Sequence, residues 1–314
     1  MANKRIIISV VVSTVLLISL IVLLINKDSA YEIYDMDAPP RVGIVHLIVS
    51  DLERSVEFYQ HMIGFDILTQ EANKVTLTAD GLTPLLLLEE VNNSVERPPG
   101  TTGLYHFAIL FPDRPSLANA LLHLAENEYP MQGAANHQYS DALYLADPDN
   151  NGIELYVDYP PEKWQRDADG GYTGGSYPID VEGLVNEAKP PWTGLPDRTR
   201  IGHMHLQVAE LEQVEQFYID GLGFTITSKD NGSLFISKDN YHHHIALNTW
   251  SGTGIPTPPE NARGLKKFTL FFTQQEMGEA EVQLKHLDIP FDASNGTLSV
   301  VDPSGNALEI ITKQ

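Results

Sequence analysis

The stretch "VHLIVSDLERSVEFYQHMIGF", residues 45–65, returns as "MHLQVAELEQVEQFYIDGLGF" at residues 204–224. In both, a histidine (His46, His205) precedes an acidic residue by five positions. A Phe-Tyr pair begins twelve positions after it, and the stretch closes on Gly-Phe. A second repeat is interleaved with the first. "GLYHFAILF" (103–111) parallels "GLKKFTLFF" (264–272), and "DPDNNGIEL" (147–155) parallels "DPSGNALEI" (302–310), each with a Glu six residues after the Pro. Such self-similarity restricts the fold more than composition does, because each unit exposes an apolar face that another unit must cover. Within a unit the pattern reads as an alternating strand, an acidic helix start, a helix with an inward aromatic pair, and further strands. The sequence predicts an α+β fold of four βαβββ modules starting near residues 44, 103, 203 and 264, paired into two barrel-like cups.

The modules fall into a first pair over 41–160 and a second over 201–314, separated by a Gly-, Pro- and charge-rich linker at 161–200. Ahead of them stand Lys4 and Arg5 and then 20 uncharged residues, Ile6 to Ile25. A helix of that length spans roughly 30 Å, one bilayer core. Residues 1–30 are expected to be a transmembrane anchor or a signal segment, the anchor being favoured. The globular part would then be membrane-anchored and outside the cytoplasm, although Lys27 weakens the orientation rule.

The 42 acidic residues against 20 basic ones, a formal charge of −22, argue against a nucleic-acid partner. The absence of cysteine excludes disulfides, thiolate metal sites and cysteine nucleophiles. The informative polar residues lie inside strands. Burying an imidazole costs free energy unless its nitrogens find partners or a metal. By alternation His106 shares a face with Ala108 and Leu110, Glu154 with Tyr156, and His203 with His205 and Gln207. In "YHHHIALNTW" His243 takes the face of Ile245 and Leu247, leaving His242 and His244 to the opposite face and to solvent or loop contacts. Two histidines and a carboxylate converging in one cup suit a divalent first-row metal with open positions.

The four modules, the strand histidines, the "DP...G-I-E" ending and the "HHH-I-A" run resemble the vicinal-oxygen-chelate superfamily, and within it the extradiol dioxygenases of the catechol 2,3-dioxygenase type. The resemblance covers essentially everything after residue 40. It implies ring opening of a small aromatic diol by O2 at non-haem Fe(II) or Mn(II), held by two His and one Glu. The family's acid/base histidine, two residues before an Ile-Ala pair, corresponds to His243. Its substrate-binding tyrosine, ten residues before the Glu, corresponds to Tyr144, and His137 corresponds to another pocket-lining residue. Module four departs from the pattern: Lys267 stands where a ligating His belongs, although Glu309 is kept. Lysine, protonated at neutral pH, is a poor iron ligand. Two ligand sets remain. Modules one and two would give His46, His106 and Glu154; modules two and three would give His205, His106 and Glu154, with His243 and Tyr144 in the same cup. The second unites every matching residue and is preferred, with His203 beside the ligands rather than among them. A glyoxalase-like lyase and a non-catalytic small-molecule binding protein share the fold and stay open, as does a homo-oligomer.

Overall fold

The computed structural model describes residues 35–189 and 191–312. Four units repeat one order of elements. The first runs β1 (Val42–Val49), α1 (Leu52–Phe58), β2 (Asp66–Gln70), β3 (Lys74–Thr78) and β4 (Leu86–Glu90). The second runs β5 (Gly103–Leu110), α2 (Arg114–Glu126), β6 (Gly133–Asn136), β7 (Ser140–Ala146) and β8 (Gly152–Asp158). After a connection that carries the short helix α3 (Val181–Asn186), the third comprises β9 (Arg200–Gln207), α4 (Leu211–Glu215), β10 (Thr225–Asp230), β11 (Ser233–Ser237) and β12 (Ile245–Asn248). The fourth comprises β13 (Gly264–Phe272), α5 (Gln274–His286), β14 (Phe291–Ser294), β15 (Thr297–Val301) and β16 (Ala307–Thr312).

The strands form two eight-stranded mixed sheets, ordered β14-β15-β16-β13-β1-β4-β3-β2 and β10-β11-β12-β9-β5-β8-β7-β6. Module four therefore joins module one, and module three joins module two, so each sheet takes one module from either side of residues 161–200. The repeated motifs hold this arrangement together. The Asp of each "DP" turn accepts backbone N–H groups from its own loop: Asp147 from Asp149 and Asn151, Asp302 from Ser304 and Asn306. Each also accepts the hydroxyl of a Phe-Tyr tyrosine from a helical segment of a module on the other sheet, Tyr59 on Asp147 at 2.9 Å and Tyr218 on Asp302 at 3.1 Å. A buried phenol and a buried carboxylate satisfy one another where neither could stay unpaired cheaply. Helices α1, α2 and α5 start on side-chain caps: Asp51, Asp113 and a Thr273–Glu276 capping box respectively. One apolar core, including Leu47, Phe107, Met204 and Phe268, runs through all four modules.

The expectation of a membrane-anchored protein is corrected. Among the described residues no helix is long and apolar enough to cross a membrane, and the stretch from Ile6 to Ile25 lies outside the described residues.

Candidate metal centre

Strand register assembles the site. On the sheet of modules two and three, β9 pairs antiparallel with β5 so that His203 faces Ala108; β5 pairs parallel with β8, where Ala108 faces Glu154; β7 then sets Tyr144 opposite Glu154. Residues in register on neighbouring strands point to the same face. His203, Ala108, Glu154 and Tyr144 thus form one row, and His106 follows two positions along β5 on the same side. The single methyl of Ala108 leaves the space between His203 and Glu154 open. Two glycines permit the close approach. A Cβ on Gly152 would lie 2.1 Å from the Tyr105 carbonyl oxygen, and one on Gly202 would lie 1.7 Å from the Tyr156 hydroxyl.

Glu154 Oε2 lies 2.9 Å from His106 Nε2 and 3.1 Å from His203 Nε2, and one potential ligand atom from each residue falls within 4.8 Å of the others. All three side chains are buried. His106 Nε2 has no hydrogen-bond partner despite its closeness to the carboxylate, and His203 Nδ1 has none either. A buried nitrogen like His106 Nε2, facing the cluster without a partner, is rare unless something else takes its lone pair. Neighbouring donors on an octahedral ion with bonds of about 2.1 Å are separated by about 3 Å, so the spacing fits a first-row divalent cation. Burial alone would raise the Glu154 pKa, but His203 and His106 reverse this and hold the carboxyl well below its ordinary value. The donor set is therefore one anion and two imidazoles.

The structure thus brings His106 and Glu154 together as expected, but with His203 in the place given to His205. His205 has its ring 4.8 Å from that of His106, yet its Nε2 accepts from the Asn248 amide at 2.9 Å. The backbone N–H of Trp250 donates to Asn248 Oδ1 and holds the amide in that orientation. The lone pair that would face a metal is already used. His46 belongs to the other sheet, where it sits 2.7 Å from Glu89. His203 had a signal in the sequence: like His106, it is a strand histidine that its repeat partner does not share.

The cavity over this row has a volume of about 530 Å³, and His243, Tyr144 and His137 line it together with Phe235, Tyr105 and Trp250. His243 packs its ring 4.2 Å from His203. Burial first, then the neighbouring His203, His242 and His205, push its pKa well below the ordinary value and leave it neutral. Tyr144 donates its O–H to His137 Nε2 at 2.6 Å, and His137 Nδ1–H donates to the Gly175 carbonyl, also at 2.6 Å. Burial and then the charge of Glu154 raise the Tyr144 pKa, so this phenol stays protonated. The reading of His242 and His244 as solvent or loop contacts is corrected. Both are buried, and β12 begins only at Ile245, so strand parity does not apply to them.

Residues 41–155 match the model of the Glyoxalase/Bleomycin resistance protein/Dioxygenase superfamily. The catechol-2,3-dioxygenase of Bacillus subtilis (strain 168) is 43% identical over 271 residues, 85% of this chain and 95% of that protein. The chain belongs to this superfamily. Within it, biphenyl-2,3-diol 1,2-dioxygenase 3 of Rhodococcus globerulus is 27% identical over 125 residues, covering 39% of this chain and 66% of that protein. Among solved structures, glyoxalase I from Zea mays has a TM-score of 0.53 and 16% identity over 87% of this chain and 92% of that chain, a likeness of fold. The superfamily accounts for the repeated module; the cluster of His106, Glu154 and His203 and the cavity over it lie on the sheet of modules two and three.

Proposed function

We propose that this dioxygenase-type oxidoreductase is an extradiol ring-cleaving enzyme that opens catechol-type diols with O2, with His106, Glu154 and His203 holding Fe(II) or Mn(II). The observation that carries the reading is the convergence of those three buried side chains on one point, where His106 Nε2 faces the carboxylate and has no hydrogen-bond partner. The likeness to Bacillus catechol-2,3-dioxygenase over nearly its whole length supports the reaction class. Three ligands leave about half of an octahedral shell free, which suits a bidentate diol plus oxygen. A metal bound here would supply Lewis acidity to the diol oxygens and redox chemistry toward O2.

The chain's own groups do the rest. Neutral His243, on the cavity wall beside His203, takes a proton from a substrate hydroxyl. Tyr144 spends its proton on His137, so its oxygen lone pairs remain to accept a hydrogen bond from the substrate. His137, expected to bind substrate, uses both ring nitrogens within the protein and acts by orienting Tyr144. Phe235, Tyr105 and Trp250 offer aromatic surface to the ring.

The test is direct. The chain is purified without oxygen, loaded with Fe(II), assayed for bound metal, and mixed with catechol and air. A yellow ring-opened product is expected. In His243→Gln the iron should remain while turnover falls about 100-fold or more. Iron bound at one per chain with no coloured product from wild type would overturn the reading.

A further inference from the structure

His242 is among the most enclosed side chains of the protein, and the steps above do not use it. Its side chain has no solvent exposure. The ring stacks on Tyr139 at 4.3 Å and 14°, and lies 4.0 Å from the Tyr241 ring at a tilt of 34°. Its two nitrogens are both engaged: Nε2 lies 2.8 Å from Asp158 Oδ1, and Nδ1 lies 2.8 Å from His243 Nδ1. The second oxygen of Asp158 accepts the Tyr241 hydroxyl at 2.8 Å. The result is a buried line, Asp158 to His242 to His243, that ends on the cavity wall.

With His242 neutral, the line has one proton order. A carboxylate only accepts, so His242 Nε2 carries a hydrogen. A neutral imidazole has one N–H, so His242 Nδ1 is then an acceptor, and the proton between the two Nδ1 atoms comes from His243. This fixes the His243 tautomer. Resting on the dioxygenase reading above, we propose that Asp158 and His242 are positioning residues that hold His243 as its Nδ1–H tautomer and so keep Nε2 as the unprotonated nitrogen that meets substrate. A carboxylate orients the base of a serine-protease triad in the same way, and there the wrong tautomer is nearly inactive. Here the carboxylate acts at one remove, through a second imidazole clamped between Tyr139 and Tyr241. If His242 lost Asp158, it could donate from Nδ1 instead. His243 would then carry its hydrogen on Nε2, where it has nothing to accept with.

The tautomer is read in the metal-free full-length chain with 15N-labelled histidine, by long-range 1H–15N correlation, the His243 signals being those missing in His243→Gln. Wild type should show Nδ1 protonated and Nε2 bare. Asp158→Asn and His242→Phe, the latter keeping the aromatic stack, should each move the population toward Nε2–H. Once loaded with iron, they should lose turnover about 100-fold or more while KM for catechol stays within about threefold. A His243 that carries its proton on Nε2 in wild type overturns the proposal, whatever the variants do. So does an unchanged tautomer and kcat in either folded variant. If the tautomer moves as stated but iron-loaded wild type opens no diol, the positioning role stands and the dioxygenase reading fails.

Discussion

The two sheets share one backbone plan and differ in what stands at four of six matched positions. Register pairs His46 with Lys267 on the sheet of modules one and four, as it pairs His205 with His106 on the other. By the same count Ile44 occupies the place of His203, Glu309 that of Glu154, and Ser299 that of Tyr144. Pro84 stands two residues before Leu86, which faces Val45, as His243 stands two before Ile245, which faces Met204. Besides the histidine at His46 and His205 only the glutamate is kept, and it is bound to a cation of the protein itself: Lys267 Nζ lies 2.6 Å from Glu309 Oε1. The pair is about a third exposed on each side and stabilises little. The same scaffold has therefore been filled once with a cluster of two imidazoles and a carboxylate and once with an internal ion pair. Chemistry resides where the repeat is broken.

The comparison is most exposed to substitution of the ligands. His106→Ala, Glu154→Ala or His203→Ala should each abolish stoichiometric metal binding and lower turnover more than about 1000-fold. Lys267→Met with Glu309→Gln should leave kcat within about twofold. His205→Ala should retain the metal. Metal analysis and a catechol assay of the same preparations decide the point, and a loss of metal in His205→Ala with retention in His203→Ala would reverse the assignment.

A graft sharpens it. Ile44→His together with Lys267→His places two imidazoles beside Glu309 at the matched positions. Titration with Mn(II) should then show a second, weaker site per chain, without added turnover, since Ser299 and Pro84 supply neither phenol nor base. A graft that binds no second ion would mean that register alone does not define the donor geometry.

The smallest effect separates the sheets by pH. His46 is pushed down to about 4, by burial first, with Lys266 and Lys267 adding to it against the opposing pull of Glu89. Between about pH 6.5 and 4 the unfolded chain binds a proton at His46 that the folded chain does not, so stability falls as pH falls through this window. The contribution is on the order of 2–3 kcal/mol. Denaturant melts of metal-free His46→Gln should show a shallower acid decline than wild type. His203, His205, His243 and His244, also depressed by burial, should keep most of the slope on the other sheet.

Much of this was legible before any coordinates. His106 and Glu154 stood out because a strand that is otherwise apolar has no reason to carry an imidazole or a carboxylate. Lys267 marked module four as the incomplete partner. The choice between His203 and His205 was not legible, because both lie on one face of β9 and alternation treats them alike. Alignment of the repeats pointed to His205, which matches His46, when shared residues serve the common fold. His242 was misread because the parity rule was extended three residues beyond the start of β12.

The sequence by itself determined the four modules, the kind of donors and the strands that carry them, since these follow from local alternation and from matches along the chain. The tertiary structure decided that module two pairs with module three, that Ala108 sits between His203 and Glu154, and that Asp158 reaches His243 through His242. Those are facts of hydrogen-bond register between strands far apart in sequence. A slip of two residues along β9 would keep every apolar side chain facing the core and still exchange one histidine for the other beside Glu154.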